Sequence, residues 1–373
     1  MNSLFAFPKL KSRLWPGHAR FLRVMSGQDR DPRAHAWRLA LSAARPGYRT
    51  LLYADRFQKN LRARSLGRPT VSVGNLTTGG TGKTPMTVEL VRRLRDHGHR
   101  PAVLLRGYGT SDLEAKRNAD EVEVLRQALG PDVPVEPHPS RVKAARQVLQ
   151  RVPDTTCFVL DDGFQHRRAR RDLDLVLIDA TRPFGFDRLL PRGLLREPLS
   201  ALNRADALML TRTDQVTPES LETLIARLTK LTGKPPLAHA RHAWTTLRLG
   251  HKTVPLDTLE GLDVYGVCGI GNPDTFERQL RDAAHRVVGF SAFDDHHRYG
   301  RGDIVSIFNA TAERGGSAVV TTEKDWVKWR KTANRVKLSL PVYRPGVTMQ
   351  FSHGAEALDA LLREKLPPPD SAP

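Results

Sequence analysis

From Pro69 onward the chain alternates short apolar runs with amphipathic stretches. Thr70–Val73, Ala102–Leu105, Cys157–Leu160, Leu173–Ile178 and Ala207–Leu210 read as strands. Helices are predicted over Pro85–His97, Glu121–Leu129, Arg141–Gln150 and 217–231. This rhythm predicts a parallel sheet with helices on both faces. Near Lys234-Pro235-Pro236 it changes. Two β-rich stretches, 239–254 and 338–351, flank a smaller set of elements. In that set Val264–Ile270, Val287–Phe290 and Ala318–Thr321 read as strands, and Asp274–Ala284 and Ile304–Arg314 as helices. The predicted fold class is α/β, with two α/β units joined by a small β hinge.

Upstream the pattern is different. Pro8, Pro16, Gly27 and Pro32 interrupt residues 1–32, which read as a loose extension. Ala34–Leu66 is helical, with a break at Pro46-Gly47. Trp37, Leu39, Leu41, Leu51, Tyr53 and Phe57 alternate there with Arg38, Arg45, Arg49 and Arg56, a mix suited to a helix in a membrane interface. A helix packed on the body with a solvated basic face would have the same pattern. The expected division is a basic extension over 1–33, an amphipathic segment over 34–66 and a phosphate-loop domain over 67–236. Hinge strands follow at 237–256 and 338–352, a smaller α/β domain at 257–337, and a C-terminal helix and tail at 353–373.

Charge sharpens the reading of the N-terminus. The chain has 373 residues and a formal charge of +19, and residues 1–70 hold 15 Lys/Arg against 3 Asp/Glu. A basic arm calls for an anionic partner, either nucleic acid or an acidic membrane surface. No apolar run approaches a membrane span, and the first residues lack a signal-peptide core, so a cytoplasmic location is expected. Cys157 and Cys268 lie far apart in apolar runs and read as buried thiols, not a disulfide framework.

The strongest chemical signal is Gly79-Gly80-Thr81-Gly82-Lys83-Thr84, between a strand and a helix. Glycines let backbone N–H groups close on phosphate oxygens, and the helix start adds its dipole. Lys83 is placed for the β and γ phosphates and Thr84 for Mg²⁺. The usual pattern has a further glycine where Thr77 stands. Asp161-Asp162-Gly163-Phe164-Gln165-His166 follows a strand, where carboxylates face the ligand crevice. The run Arg167, Arg168, Arg170 and Arg171 is a solvated face or holds an anionic substrate. Thr211-Arg212-Thr213-Asp214 faintly resembles a guanine-reading motif and reads more simply as a capped loop with Asp214 exposed. Asp294-Asp295-His296-His297 suits acid–base work, a metal phosphoesterase, or a surface loop.

Several words in order extend the picture. Val73-Gly74-Asn75-Leu76-Thr77, the loop to Pro85, Leu105-Arg106-Gly107-Tyr108-Gly109 and the 161–166 word resemble the tetraacyldisaccharide 4′-kinase family of lipid A biosynthesis. So do Leu190–Pro198, Phe293–Tyr299 and Thr321-Thr322-Glu323-Lys324-Asp325. The resemblance runs from about residue 35 to 352, and the family's loop also lacks the first glycine. It implies two α/β/α domains, the first like a phosphate-loop NTPase, with the active site in the cleft between them. It implies transfer of the ATP γ-phosphoryl to the 4′-hydroxyl of an acylated glucosamine disaccharide 1-phosphate. The setting is the inner face of the inner membrane, reached through an N-terminal amphipathic helix, with no nucleic-acid partner.

By this resemblance Gly79, Gly80, Thr81, Gly82, Lys83 and Thr84 bind nucleotide. Thr84, Asp161 and Glu197 place Mg²⁺, Lys83 and Asp162 are catalytic candidates, and Gln165, His166 and Arg196 lie beside them. The family's base sits in a Gly-Asp-Glu word that here reads Ala119-Asp120-Glu121, which makes Asp120 the candidate, with His296 as its partner and Asp295 adjacent. Two other readings stay open: a phosphate-loop nucleotide switch, and a phosphoesterase built on Asp295-His296-His297.

Overall fold

The computed structural model describes residues 18–60, 63–107, 112–294, 297–333, 336 and 338–369. Two helices lead, α1 (His18–Ser26) and α2 (Pro32–Asn60). Then come β1 (Thr70–Asn75), α3 (Lys83–Asp96), β2 (Pro101–Leu105), α4 (Asp112–Leu129), β3 (Val135–Pro137), α5 (Arg141–Arg151), β4 (Cys157–Asp161), β5 (Leu173–Asp179), β6 (Ala207–Thr211) and α6 (Pro218–Thr232). The chain continues through β7 (Ala238–Leu249), β8 (Lys252–Pro255), β9 (Asp263–Cys268), α7 (Pro273–Ala283), β10 (Arg286–Ala292), α8 (Arg301–Glu313), β11 (Ala318–Thr321), α9 (Glu323–Ala333), β12 (Val342–His353) and α10 (Ala355–Lys365).

All strands join one 12-stranded sheet in the order β10-β9-β11-β12-β7-β6-β5-β1-β4-β2-β3, with β8 on β7. Pairing is parallel on both sides of the long antiparallel β7–β12 pair. The strands expected at the hinge are therefore the middle of a continuous sheet. Parallel strands are buried on both faces, and successive side chains serve opposite layers. Val71 and Val73 meet Met86, Leu90 and Leu94 of α3 on one face. Val176 and Ile178 meet Leu224 and Leu228 of α6 on the other. Beyond β12, β9 sends Val264 toward Phe276 and Leu280 of α7 and Val267 toward Ile304 and Phe308 of α8.

Two expectations need correction, and two elements went unread. Residues 1–33 are not a loose extension throughout, because 18–26 form α1. Its Val24 and Met25 are buried on Ala34 with Leu41 and Phe186, a long-range cover that local sequence does not reveal. Pro46 does not break α2, which runs through it. A proline removes one N–H, the donor to the Ser42 carbonyl one turn back, and the rest of the ladder carries the helix past it. The short β3 and the helix α9 were missed. For α9 a signal existed: Thr322 Oγ1 accepts from Asp325 N, and Val327, Trp329 and Ala333 are its buried positions.

Candidate active site

The phosphate loop joins β1 to α3. Gly79 and Gly82 take φ of 120° and 91°, in the region that favours glycine. A Cβ on Gly82 would lie 2.2 Å from His242 Nε2. Gly82 caps α3 with no side-chain bond, leaving the first N–H groups of the helix to an anion. Thr77, at the position of the usual glycine, instead pairs with Leu195. Arg196 N then donates to Leu76 O at 2.8 Å, which lays the Arg196 segment along the loop.

Lys83 Nζ donates to Asn75 Oδ1 at 3.2 Å and lies 3.5 Å from Asp162 Oδ1. Arg196 Nη1 donates to both Asp162 oxygens, at 3.1 and 3.0 Å, and to Gln165 Oε1 at 3.3 Å. Gln165 Nε2 donates to Asn75 O at 2.7 Å. Asn75, quoted in the sequence without a role, is thus the hub of this ring. The close turn depends on Gly74, where a Cβ would meet Phe164 Cβ at 2.3 Å.

The two adjacent acids differ in proton affinity. Burial pushes the Asp161 carboxyl up to about 6, with Asp162 and Glu121 adding to the rise against the pull of Lys83. Burial also works to raise Asp162, but Lys83 and Arg196 outweigh it and hold that carboxyl well below the usual range. Asp161 Oδ1 accepts from Thr87 Oγ1 at 3.1 Å, on the α3 face that Thr87 shares with Thr84. Its carbonyl accepts from Arg141 Nη2 at 3.3 Å, and Arg141 is fully buried. Arg141 is therefore a brace beneath the acids, whereas Lys324 is exposed.

Glu197 is buried and accepts from Arg204 Nη1 at 2.7 Å and Arg167 Nη2 at 3.3 Å. Arg171 donates to the carbonyls of Gly163, Phe164 and His166. Half of the basic run thus holds the acidic loop in place, while Arg168 and Arg170 are exposed. His166 is half-buried in that loop.

Behind the loop lie Arg212, read in the sequence only as part of the 211–214 word, and His242, which the sequence reading did not reach. Arg212, itself left-handed at φ 57°, pairs with Asp179 and donates to Gly80 O at 2.6 Å. The faint guanine-reading word thus backs the loop, with Asp214 exposed. His242 of β7 packs on Gly82; burial, helped by Arg212, lowers its pKa to about 4, so the ring is neutral at pH 7. His242 carries no local motif, and the motif around Arg212 gives no sign that it backs the loop.

Asp120 is half-buried on α4, next in sequence to the Glu121 that acts on Asp161. Helix α4 also reaches across the sheet: Arg330 of α9 lies 3.0 Å from Glu123, and Arg248 Nη2 donates to Gln127 O at 2.6 Å. Asp295 and His296 lie outside the described residues. Their neighbour His297 stacks on Phe293 with centroids 4.5 Å apart, and its Nε2 is 3.1 Å from Asp303 Oδ2. Among the described residues no cluster of three His, Cys, Asp or Glu could hold a metal.

Comparison with known proteins places this geometry. Residues 38–367 match the family described as LpxK, Tetraacyldisaccharide-1-P 4′-kinase. A tetraacyldisaccharide 4′-kinase of Anaeromyxobacter dehalogenans is 39% identical over 318 residues, covering 81% of this chain and 83% of that protein. One from Geobacter sulfurreducens is 38% identical, covering 84% and 88%. The crystal structure of LpxK from Aquifex aeolicus, in its "apo" form in complex with ATP, superposes with a TM-score of 0.67 at 28% identity, covering 88% of this chain and 99% of that one. With its phosphate loop, acidic strand end and mixed sheet, the chain belongs to the tetraacyldisaccharide 4′-kinase family.

Proposed function

We propose that this kinase transfers the γ-phosphoryl of ATP to the 4′-hydroxyl of an acylated glucosamine disaccharide 1-phosphate. The observation that supports this best is the ring of Lys83, Asn75, Asp162, Arg196 and Gln165 at the mouth of a glycine-shaped loop. Two cations facing one ionised carboxylate suit a polyphosphate, whose negative oxygens would share those donors. Phosphoryl transfer depends mainly on positioning and charge neutralisation, which these groups supply.

Magnesium fits the donors present. Thr84 and Asp161 are hard oxygen ligands near the loop. A buried carboxyl that holds its proton to about pH 6 is one that a divalent cation would ionise. Bound there, the ion would screen the phosphate oxygens. Glu197, its charge matched by Arg167 and Arg204, acts in this reading as the brace of the Arg196 segment, not as a metal ligand.

Asp120 is the proposed base, with His296 holding its carboxylate. It takes the 4′-hydroxyl proton as that oxygen bonds to the γ-phosphorus and the bond to the β–γ bridging oxygen breaks, releasing ADP. The influence of Glu121 on Asp161 supports a place for this turn of α4 at the acidic end of the site. Helix α2, with Trp37, Leu39 and Tyr53 exposed, is the proposed membrane-facing element at the inner face of the inner membrane. The test is transfer of label from γ-labelled ATP to purified disaccharide 1-phosphate lipid in mixed micelles. Asp120→Asn and His296→Asn should lower kcat by about 10²–10⁴-fold with little change in KM. Lys83→Ala should cost at least about 10²-fold. Nucleotide hydrolysis with no labelled lipid would refute the lipid-kinase reading.

A further inference from the structure

On the far side of the Arg196 segment, a cleft of about 590 Å³ opens between α1, the loop 181–187 and α6. Arg23, Arg182 and Arg227 line it, together with Phe184 and Phe186, and Asp187 is its one acidic residue. Asp187 is paired with Arg227. Among the described residues no carboxylate pairs with Arg23 or Arg182. The aromatic rings hold guanidinium groups in place: Arg227 lies 4.1 Å over the Phe184 ring and Arg182 lies 5.7 Å over Phe186. More positive charge crowds behind: burial, then Arg188 and Arg38, lower the pKa of Arg192.

The wall of the cleft is strained. Gly185, Phe186 and Asp187 have φ of 53°, 66° and 55°. A left-handed phenylalanine is strained and persists only where its surroundings enforce it. Here Phe186 is fixed against the α1–α2 cluster. Arg192 Nη1 donates to Met25 O at 2.9 Å, tying the end of α1 to the segment that follows this loop. Helix α1 precedes the residues that match the family model.

The surroundings indicate the ligand. Arg38 donates to Asp29 O at 2.7 Å and to Val24 O at 3.4 Å. Its sequence neighbours Trp37 and Leu39 are 37% and 61% exposed. Arg182 over the Phe186 ring and Arg23, neither paired with a carboxylate among the described residues, together with the exposed apolar side chains of α2, match a group that is anionic at its head and apolar below it. We propose that this cleft binds the phosphate group of an anionic lipid headgroup while Trp37 and Leu39 enter the interface. The assignment rests on α2 being the membrane-facing helix.

Full-length protein would be bound to phosphatidylcholine vesicles with and without phosphatidic acid, and soluble glycerol 3-phosphate would be titrated separately. Phosphatidic acid should tighten wild-type binding, and Arg23→Gln/Arg182→Gln should remove about 10–30-fold of that gain. Arg23→Lys/Arg182→Lys keeps the charge but loses the planar fork, and should also weaken binding. Lysine variants that bind like wild type would reduce the effect to diffuse charge and overturn the cleft while leaving membrane docking intact. Trp37→Ser/Leu39→Ser should weaken binding to both kinds of vesicle; unchanged binding would overturn the α2 reading itself. Saturation by glycerol 3-phosphate with undiminished vesicle binding would assign the cleft to a free phosphate and overturn the lipid. All the substituted residues are exposed, and melting curves matching wild type would show that the fold is retained.

Discussion

Asp161 and Asp162 are neighbours on one strand end, yet one holds a proton to about pH 6 and the other is ionised. The difference lies in their partners. Asp162 faces both Lys83 and Arg196, whereas Asp161 is more deeply buried and has the pull of Lys83 opposed by Asp162 and Glu121. This has a consequence for stability. An unfolded aspartate loses its proton near pH 3.9. Between that value and about 6 the folded chain binds the extra proton, so Asp161 makes stability fall as pH rises through this window. Asp161→Asn should therefore be more stable than wild type above about pH 7, by about 1–3 kcal/mol, with the advantage gone below about pH 4. Denaturant titrations at the two pH values check this. Equal stability at both would show that Asp161 ionises normally.

At the scale of elements, charged side chains fasten loops to the sheet. Glu197 joins Arg167 and Arg204 beneath the 161–166 loop. Glu197→Ala should cost about 2–4 kcal/mol, since it leaves Arg167 almost buried without its carboxylate, and Glu197→Gln should cost less. Thermal melting compares the two; equal losses would point to packing and not to charge. Helix α2 offers a second case. Pro46 interrupts its ladder without ending it, and an interior proline costs about 3 kcal/mol relative to alanine. Pro46→Ala should raise the helical signal and the melting temperature. A fall in either would mean that the proline geometry itself is needed where Tyr48 Oη donates to Arg196 O at 3.2 Å.

Across the whole molecule, the sheet is continuous from β10 to β3, and α4 packs on both α3 and α9. A division near residue 236 would cut through hydrogen-bonded strands, since β6 pairs with β7 and β7 with β12. Heat should therefore unfold the chain from α2 onward in one calorimetric transition, with van't Hoff and calorimetric enthalpies in agreement. Two resolved transitions would show that the halves on either side of β7 and β12 are energetically separate.

Sequence by itself determined whatever depends on the local chain. Strand periodicity marked nearly every strand of the sheet, because burial on both faces requires continuous apolar runs. Glycines with a following Lys83-Thr84 marked the phosphate loop, because only glycine closes a backbone around phosphate at positive φ. Ordered motifs identified the family. What the local chain leaves open is who the distant neighbours are. Arg212 and His242 behind the loop, Asn75 at its hub, Arg141 under the acids and the arginine pair on Glu197 are set by contacts between remote segments. No local spacing encodes those contacts. The same holds for α1, a short helix between flanking breakers whose apolar face is covered by Phe186 and α2. Tertiary structure decided those points, because burial and charge pairing are properties of the surroundings that a residue acquires only on folding.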